Sequence, residues 1–216
     1  MTQLRELRLA DVRIRPFGRG DETRLRGMSG ALSRTSLYLR FFTGTPHVPE
    51  PYVAALGRLD HWNRDALVAI FDGAMVGIAE YARLPSRPDE AEVGVLIADA
   101  WQRHGLGRLL TRMLLPLAAR RGVTGFRAEV QSTNSGAVEL IRHTWPSARS
   151  VHHGETSTFR MPAPDHPMPA SAAPAPPAPV PAALVVSASC GQGVGRCRAG
   201  VLDPAVTIST GTSTGG

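Results

Sequence analysis

Apolar residues change rhythm near the middle of the chain. Val93, Val95, Leu96 and Ile97 form a short run of the kind a buried strand makes. Leu106, Leu109, Leu110, Met113, Leu114 and Leu117 then recur every third or fourth residue, the stripe of an amphipathic helix. Pro116 lies inside that stripe; it is expected to remove a hydrogen bond and kink the helix, unless Leu114 and Leu115 already end it. Gly125–Gln131 reads as a further strand, residues 135–143 as a helix, and residues 50–59 have helical character. The alternation Val76, Ile78, Glu80 places one carboxylate on an otherwise apolar strand face.

This patterning stops near residue 162. Residues 162–181 hold nine prolines among alanines, and residues 187–216 are mostly Ser, Gly, Thr and Ala. Such a segment buries too little apolar surface to offset its ordering entropy. The expected division is a folded domain over 1–161 and a disordered tail over 162–216. Charge divides the same way: residues 1–162 carry 22 arginines against 16 acidic residues, a net +6, and the tail is neutral. Every cationic side chain of the 24 is arginine, so no side-chain amine is present to be self-acylated. Cys190 and Cys197 both fall in the tail, with no second pair to complete a zinc site. The arginines are scattered, without a basic helix face or stacking aromatics, which argues against a nucleic-acid partner. No apolar window approaches the roughly eighteen residues of a membrane span, and residues 1–11 lack a signal-like apolar core. The expectation is a cytoplasmic protein without a membrane or metal partner.

Between the apolar run and the helical stripe stand Asp99-Ala-Trp-Gln-Arg-His-Gly-Leu-Gly-Arg-Leu109. A strand that turns through glycines into a helix aims main-chain N–H groups and the positive end of the helix dipole at one spot, which suits a phosphate. A dinucleotide fingerprint would need a third glycine after Gly105-x-Gly107, and a Walker loop would need a lysine; neither is present. The order Gln102-x-x-Gly105-x-Gly107 instead resembles the pyrophosphate loop of the GNAT superfamily of acyl-CoA N-acyltransferases. The resemblance spans about residues 11–161. Val12–Phe17 is similar to the family's first strand, residues 21–33 to its first helix, and residues 66–71 and 75–83 to its second and third strands, joined across the strong turn signal Asp72-Gly73. Ser36-Leu-Tyr-Leu-Arg-Phe-Phe-Thr43 and the Ala91-Glu92 pair resemble the GNAT domains of bacterial Pat-type protein lysine acetyltransferases. The implied fold is α/β (α+β): a twisted, mostly antiparallel sheet of six to seven strands flanked by about four helices.

The resemblance implies direct acetyl transfer from acetyl-CoA to a primary amine, a protein lysine in the Pat-like reading. An amine of pKa about 10.4 must first lose a proton, and a carboxylate can take it. Glu92 is the first candidate for that general base, with an ordinary exposed strand glutamate as the other reading; Glu80 is the second candidate. Free main-chain donors for the thioester carbonyl are implied at Leu96, Ile97 and Ala98, centred on Ile97. The pyrophosphate is implied on Gln102, Arg103, His104, Gly105, Leu106, Gly107 and Arg108. For the glycines a helix-capping turn is the alternative, and for Arg103, His104 and Arg108 a solvated surface position. Asn134 stands where the family places a contact to the coenzyme arm, and also where a helix cap is favoured.

Two departures stand out. The tyrosine that many family members use to protonate the leaving thiolate is replaced by Ile141, and the usual Gly-Phe after that helix by Trp145-Pro146. Other readings therefore remain open: acetylation of a small amine such as a polyamine or amino sugar, or an acyl-CoA sensor without turnover. His61 and Trp62 are placed either against the amine pocket or in ordinary packing. His152-His153 face opposite sides of a strand, which disfavours a metal pair.

Overall fold

The computed structural model describes residues 8–163. They build one seven-stranded sheet: β1 (Arg13–Pro16), β2 (Arg64–Phe71), β3 (Ala74–Leu84), β4 (Arg87–Ile97), β5 (Gly125–Gln131), β6 (Arg149–His153) and β7 (Thr156–Pro162). Their spatial order is β1-β2-β3-β4-β5-β7-β6. Every neighbouring pair is antiparallel except β4 and β5, which run parallel. Five helices flank it, α1 (Asp21–Gly27), α2 (Arg34–Phe41), α3 (Glu50–Leu56), α4 (Leu106–Arg120) and α5 (Ser135–Thr144). The fold is the expected one, with one more helix, α2, in a segment where none was expected; the helix expected over 21–33 breaks at Gly27 and continues as a 3-10 turn over Met28–Ala31.

Local chemistry explains the elements. β2 and β3 are apolar on both sides because both faces of the central sheet are covered, so their cores are continuous rather than alternating. They meet at Asp72-Gly73, whose φ values of 47° and 76° are those of a two-residue hairpin turn. β4 reaches back from the apolar run to Arg87, which pairs with Leu84 of β3 across a register shift, while Glu90 pairs with Gly125 of β5. α4 packs Leu106, Leu110, Leu114 and Ala118, one helical stripe, fully buried against the sheet. Close approach is bought at Gly77, where a Cβ would stand 2.9 Å from Ile97 Cδ1 and 3.1 Å from Leu110 Cδ1. α2 and α3 lie on the opposite face, the side carrying Glu80 and Gly94. α4 does not stop at Pro116 but runs on to Arg120; the carbonyl its missing N–H would serve belongs to Arg112, which is exposed to water. The folded domain reaches Pro162 through β7, paired along its length with β5. The expected tail and its two cysteines lie outside the described residues.

A buried ionic cluster ties the end of α4 to the sheet. Arg121 Nη1 donates to Asp65 Oδ2 at 2.6 Å and to the Tyr81 hydroxyl at 2.8 Å. Asp65 Oδ1 also accepts from the Ala66 amide at 2.8 Å and lies 2.7 Å from His61 Nδ1. Removing one partner strands a buried carboxylate, which costs more than the pair contributes net. Arg121→Met is therefore expected to lower unfolding free energy by about 3 kcal/mol in a denaturant titration.

Candidate active site

β4 and β5 pair at only three positions, Glu90↔Gly125, Ala91↔Phe126 and Glu92↔Arg127, and then part. Beyond Glu92 the two strands diverge and open a cleft of about 510 Å³ between them. Its walls are Val93, Val95 and Ile97 of β4, Ala128, Glu129 and Val130 of β5, the start of α4, one side of α5, and Ser36, Leu39 and Arg40 of α2.

The ladder with β3 decides which main-chain groups look into that cleft. The Ala98 amide donates to the Val76 carbonyl at 2.9 Å. Antiparallel partners alternate between hydrogen-bonded and non-bonded pairs, so Leu96, Gly94 and Glu92 also spend their N–H and C=O groups on β3 in the register Ile78↔Leu96, Glu80↔Gly94 and Ala82↔Glu92. The N–H groups of Val93, Val95 and Ile97 point the other way: the parallel pair Glu92↔Arg127 uses the Val93 amide on the Arg127 carbonyl, and those of Val95 and Ile97 stand where β5 has already turned aside. This corrects the expectation for Leu96 and Ala98, whose amides are occupied. It leaves Ile97 facing the cleft and adds Val95. The hydrogen-bonding parity of a strand is set by its neighbour, so sequence alone did not show it.

The glycine turn follows. Gly105 has φ 85° and caps α4, a left-handed conformation that favours glycine. The helical ladder starts with the Leu109 amide on the Gly105 carbonyl at 3.0 Å, so the amides of Leu106, Gly107 and Arg108 precede it and face outward. The Leu106 side chain is fully buried, leaving only its main chain for a ligand. Gln102 is exposed and lines the cleft, and its side-chain amide donates to the Ile97 carbonyl at 3.1 Å, to Asp99 Oδ1 at 3.1 Å and to Ser36 Oγ at 3.0 Å. Its own N–H bonds the Asp99 carbonyl. Gln102 thus ties the turn together at the edge of the cleft. Asp99, which sequence reasoning passed over, completes that latch by accepting from the Ser33 amide at 3.0 Å and the Ser36 hydroxyl at 2.7 Å. His104 folds back on the loop, Nδ1 2.7 Å from the Gln102 carbonyl. Arg103 lies 3.5 Å from Glu139 on α5, and Arg108 is exposed beside the cleft.

Glu92 is the last paired residue before the strands part. Solvent reaches it, but the surrounding protein strips part of its hydration and the Glu129 carboxylate stands near, and both raise its pKa above the ordinary glutamate value. Glu80 is different. Its Oε1 accepts from Arg40 Nη2 at 2.8 Å, and its Oε2 from Arg64 Nε and Nη2 at 2.9 and 2.6 Å. With both oxygens held by guanidinium groups, Glu80 is an anchor, and this corrects its place as second candidate base. Asn134 caps α5, its Oδ1 accepting from the Ala137 amide at 3.0 Å, and lines the cleft as well. Ile141 is buried in the cleft wall. His61 is bound to Asp65 and does not line the cleft; nor does Trp62. His152 pairs with Ser157.

Residues 34–144 match the sequence profile of the acetyltransferase (GNAT) family. The chain belongs to that family. It is 32% identical over 135 residues to an acetyltransferase of Pseudomonas aeruginosa, covering 61% of this chain and 70% of the relative. The crystal structure of the GNAT domain of Streptomyces lividans PAT is similar at TM-score 0.65 and 25% identity, covering 70% of this chain and 90% of that one. The structure of yncA from Salmonella typhimurium, solved with its cofactor acetyl-CoA, is similar in fold at TM-score 0.58 and 18% identity, over 75% and 99% of the two chains. The protein is a GNAT acetyltransferase, with acetyl-CoA as the acetyl donor.

The cleft suits that donor. Its volume lies within the usual range of small-molecule sites, its β4 edge offers strand-type donors, and its α4 end offers unpaired amides for a pyrophosphate. The two glycines carry different constraints. A Cβ on Gly107 would meet Ile97, Val95 and Leu140 at 3.7 Å, ordinary contact, so the protein itself leaves room for a side chain there. We expect Gly105→Ala to lower stability by about 1 kcal/mol because of its backbone angle. Gly107→Ala should leave the melting temperature unchanged or slightly raised while weakening acetyl-CoA binding in calorimetry by tenfold or more, because the added methyl fills ligand space. Equal affinity of Gly107→Ala and wild type would contradict this use of the cleft.

Proposed function

We propose that the protein transfers the acetyl group of acetyl-CoA directly to a primary amine, a lysine side chain on a protein, with Glu92 as general base. The observation that carries this reading is the position of Glu92 at the vertex of the β4–β5 divergence, on the strand that carries the free amides of Val95 and Ile97. In the proposed step the ammonium gives a proton to Glu92, the neutral nitrogen bonds the acetyl carbon, the carbon–sulfur bond breaks to release coenzyme A thiolate, and the second proton leaves the nitrogen for water. An Ile97 or Val95 amide would hold the carbonyl oxygen as negative charge builds on it; one fixed donor of this kind is worth roughly two to three orders of magnitude in rate. The thiolate, with a conjugate pKa near 8.5, departs without the acid that Ile141 does not supply.

The acceptor class rests on two supports. Glu129 on β5 lines the cleft, and Glu92, which does not itself line it, lies near enough to feel its charge; two neighbouring carboxylates favour an acceptor that arrives as an ammonium. The segment Ser36–Thr43 and the Ala91-Glu92 pair resemble Pat-type protein lysine acetyltransferases, in keeping with the 25% identity to the GNAT domain of S. lividans PAT. A sensor without turnover is the second reading, and the apolar Ile141 in the cleft wall favours it.

One experiment separates the two. Wild type and Glu92→Gln are incubated with labelled acetyl-CoA and lysine-containing proteins, and modified residues are mapped by mass spectrometry. The proposal expects Glu92→Gln to lose between about a hundred- and ten-thousand-fold in kcat/KM with acetyl-CoA affinity unchanged. Because lost hydration and Glu129 raise the pKa of Glu92, wild-type activity should fall on acidification at a pH above the ordinary glutamate range. Binding without turnover by either protein toward any amine would establish the sensor.

A further inference from the structure

We infer that Arg40 is a positioning residue for the reaction: it fixes one uncompensated positive charge behind the base and so keeps Glu92 ionised when an amine arrives. The inference rests on Glu92 as the base and names a part of the site that neither the glycine turn nor the strand edge supplies.

Arg40 leaves α2 and lies flat on the Glu80 side of β4. Gly94 makes room for it, since a Cβ there would collide with Nη2 and stand 2.9 Å from the guanidinium carbon. Glu80 receives Nη2 at 2.8 Å. The Phe41 and Tyr52 rings hold the guanidinium, with centroids 5.2 and 5.3 Å from its carbon, and its Nε is buried with no hydrogen-bond partner among the described residues. Burial and the neighbouring Glu80 charge push the Tyr52 hydroxyl far above its ordinary pKa, so it stays neutral beside the cluster. Glu92 lies two residues before Gly94 on the same strand face, about 7 Å along the strand, and Arg40 also lines the cleft.

Charge counting shows what this arrangement leaves over. Glu80 is shared by Arg40 and Arg64, so the triad carries a net positive charge in a partly dry wall. Arg127 of β5, the other cation near Glu92, is bound to Glu90 at 2.5 Å, and Glu90 is shared with Arg87 at 2.6 Å. That group carries a net positive charge as well, anchored at Glu90, on the other side of Glu92 along the strand from Gly94 and Arg40. The groups around Glu92 are therefore Glu129 and Arg127 from β5, Glu80 from β3 and Arg40 from α2. Without Arg40, Glu80 keeps Arg64 as its cation, while Glu92 faces Glu80 and Glu129 with one cation fewer, which favours its protonated form.

The test follows the glutamate side-chain carboxyls of the full chain by carbon-13 NMR during a pH titration, alongside pH profiles of kcat/KM. In Arg40→Met the Glu92 midpoint and the acidic limb of the profile are both expected to rise by about one pH unit. Arg40→Lys should return both close to wild type. Gly94→Ala, which crowds the guanidinium from outside, should raise both by a smaller amount and serves if Arg40→Met fails to fold. An unmoved Glu92 midpoint in a folded Arg40→Met protein would overturn the inference and leave the base assignment standing. An acidic limb that persists unchanged in Glu92→Gln would instead remove Glu92 as base, while the NMR midpoint still reports whether Arg40 acts on it.

Discussion

The parting of β4 from β5 after three paired residues governs the site. Parallel strands in a continuous sheet satisfy each other's main chain, and a buried N–H without a partner is costly. Here the edge of β4 gives up that satisfaction at Val95 and Ile97, in the interior of a seven-stranded sheet rather than at its rim. The rest of the architecture keeps the gap from closing: β5 is committed along its whole length to β7, and β4 is committed to β3. The two neighbours pull the strands apart, and a peptide-like ligand arm can complete the ladder.

The two ends of the gap are equipped differently. At its open end α4 begins on a left-handed glycine, so its first amides and dipole converge there, and the Asp99–Gln102–Ser36 latch holds that turn against the start of α2. At its closed end sit the carboxylates and arginines: Glu92 where pairing stops, Glu129 nearby on β5, and Glu80 pinned between Arg40 and Arg64. An end of converging amides and an end of carboxylates on one short cleft suit the transfer proposed above, from a phosphorylated thioester to an amine. Because every cation is arginine, the charges that shape both ends are permanent and offer no amine to the reaction they support.

Much of this was legible in the sequence, and the misses have a common cause. The alternation of β3, the stripe of α4, the turn at Asp72-Gly73 and the glycine pair are local signals, and each marked its element. The orientation of main-chain groups is not local. Whether Leu96 or Ile97 offers its N–H depends on the pairing with β3, and sequence reasoning admitted both. Glu80 and Glu92 looked alike as strand glutamates; only the approach of Arg40 and Arg64 from elements far away in sequence separates an anchor from an accessible carboxylate. Gln102 was legible as part of the turn, but the partners that hold its side chain, Ser36 and Asp99, were not. Pro116 shows the reverse: a strong local breaker was tolerated because the carbonyl it orphans faces water.

Amide hydrogen exchange along β4 tests the central claim most directly. In the free protein Leu96 and Ala98 should exchange slowly and Val95 and Ile97 quickly. Saturation with acetyl-CoA should slow Val95 and Ile97 and leave Leu96 and Ala98 as they were. Equal protection of all four amides before acetyl-CoA is added, or no change at Val95 and Ile97 after it, would contradict the account.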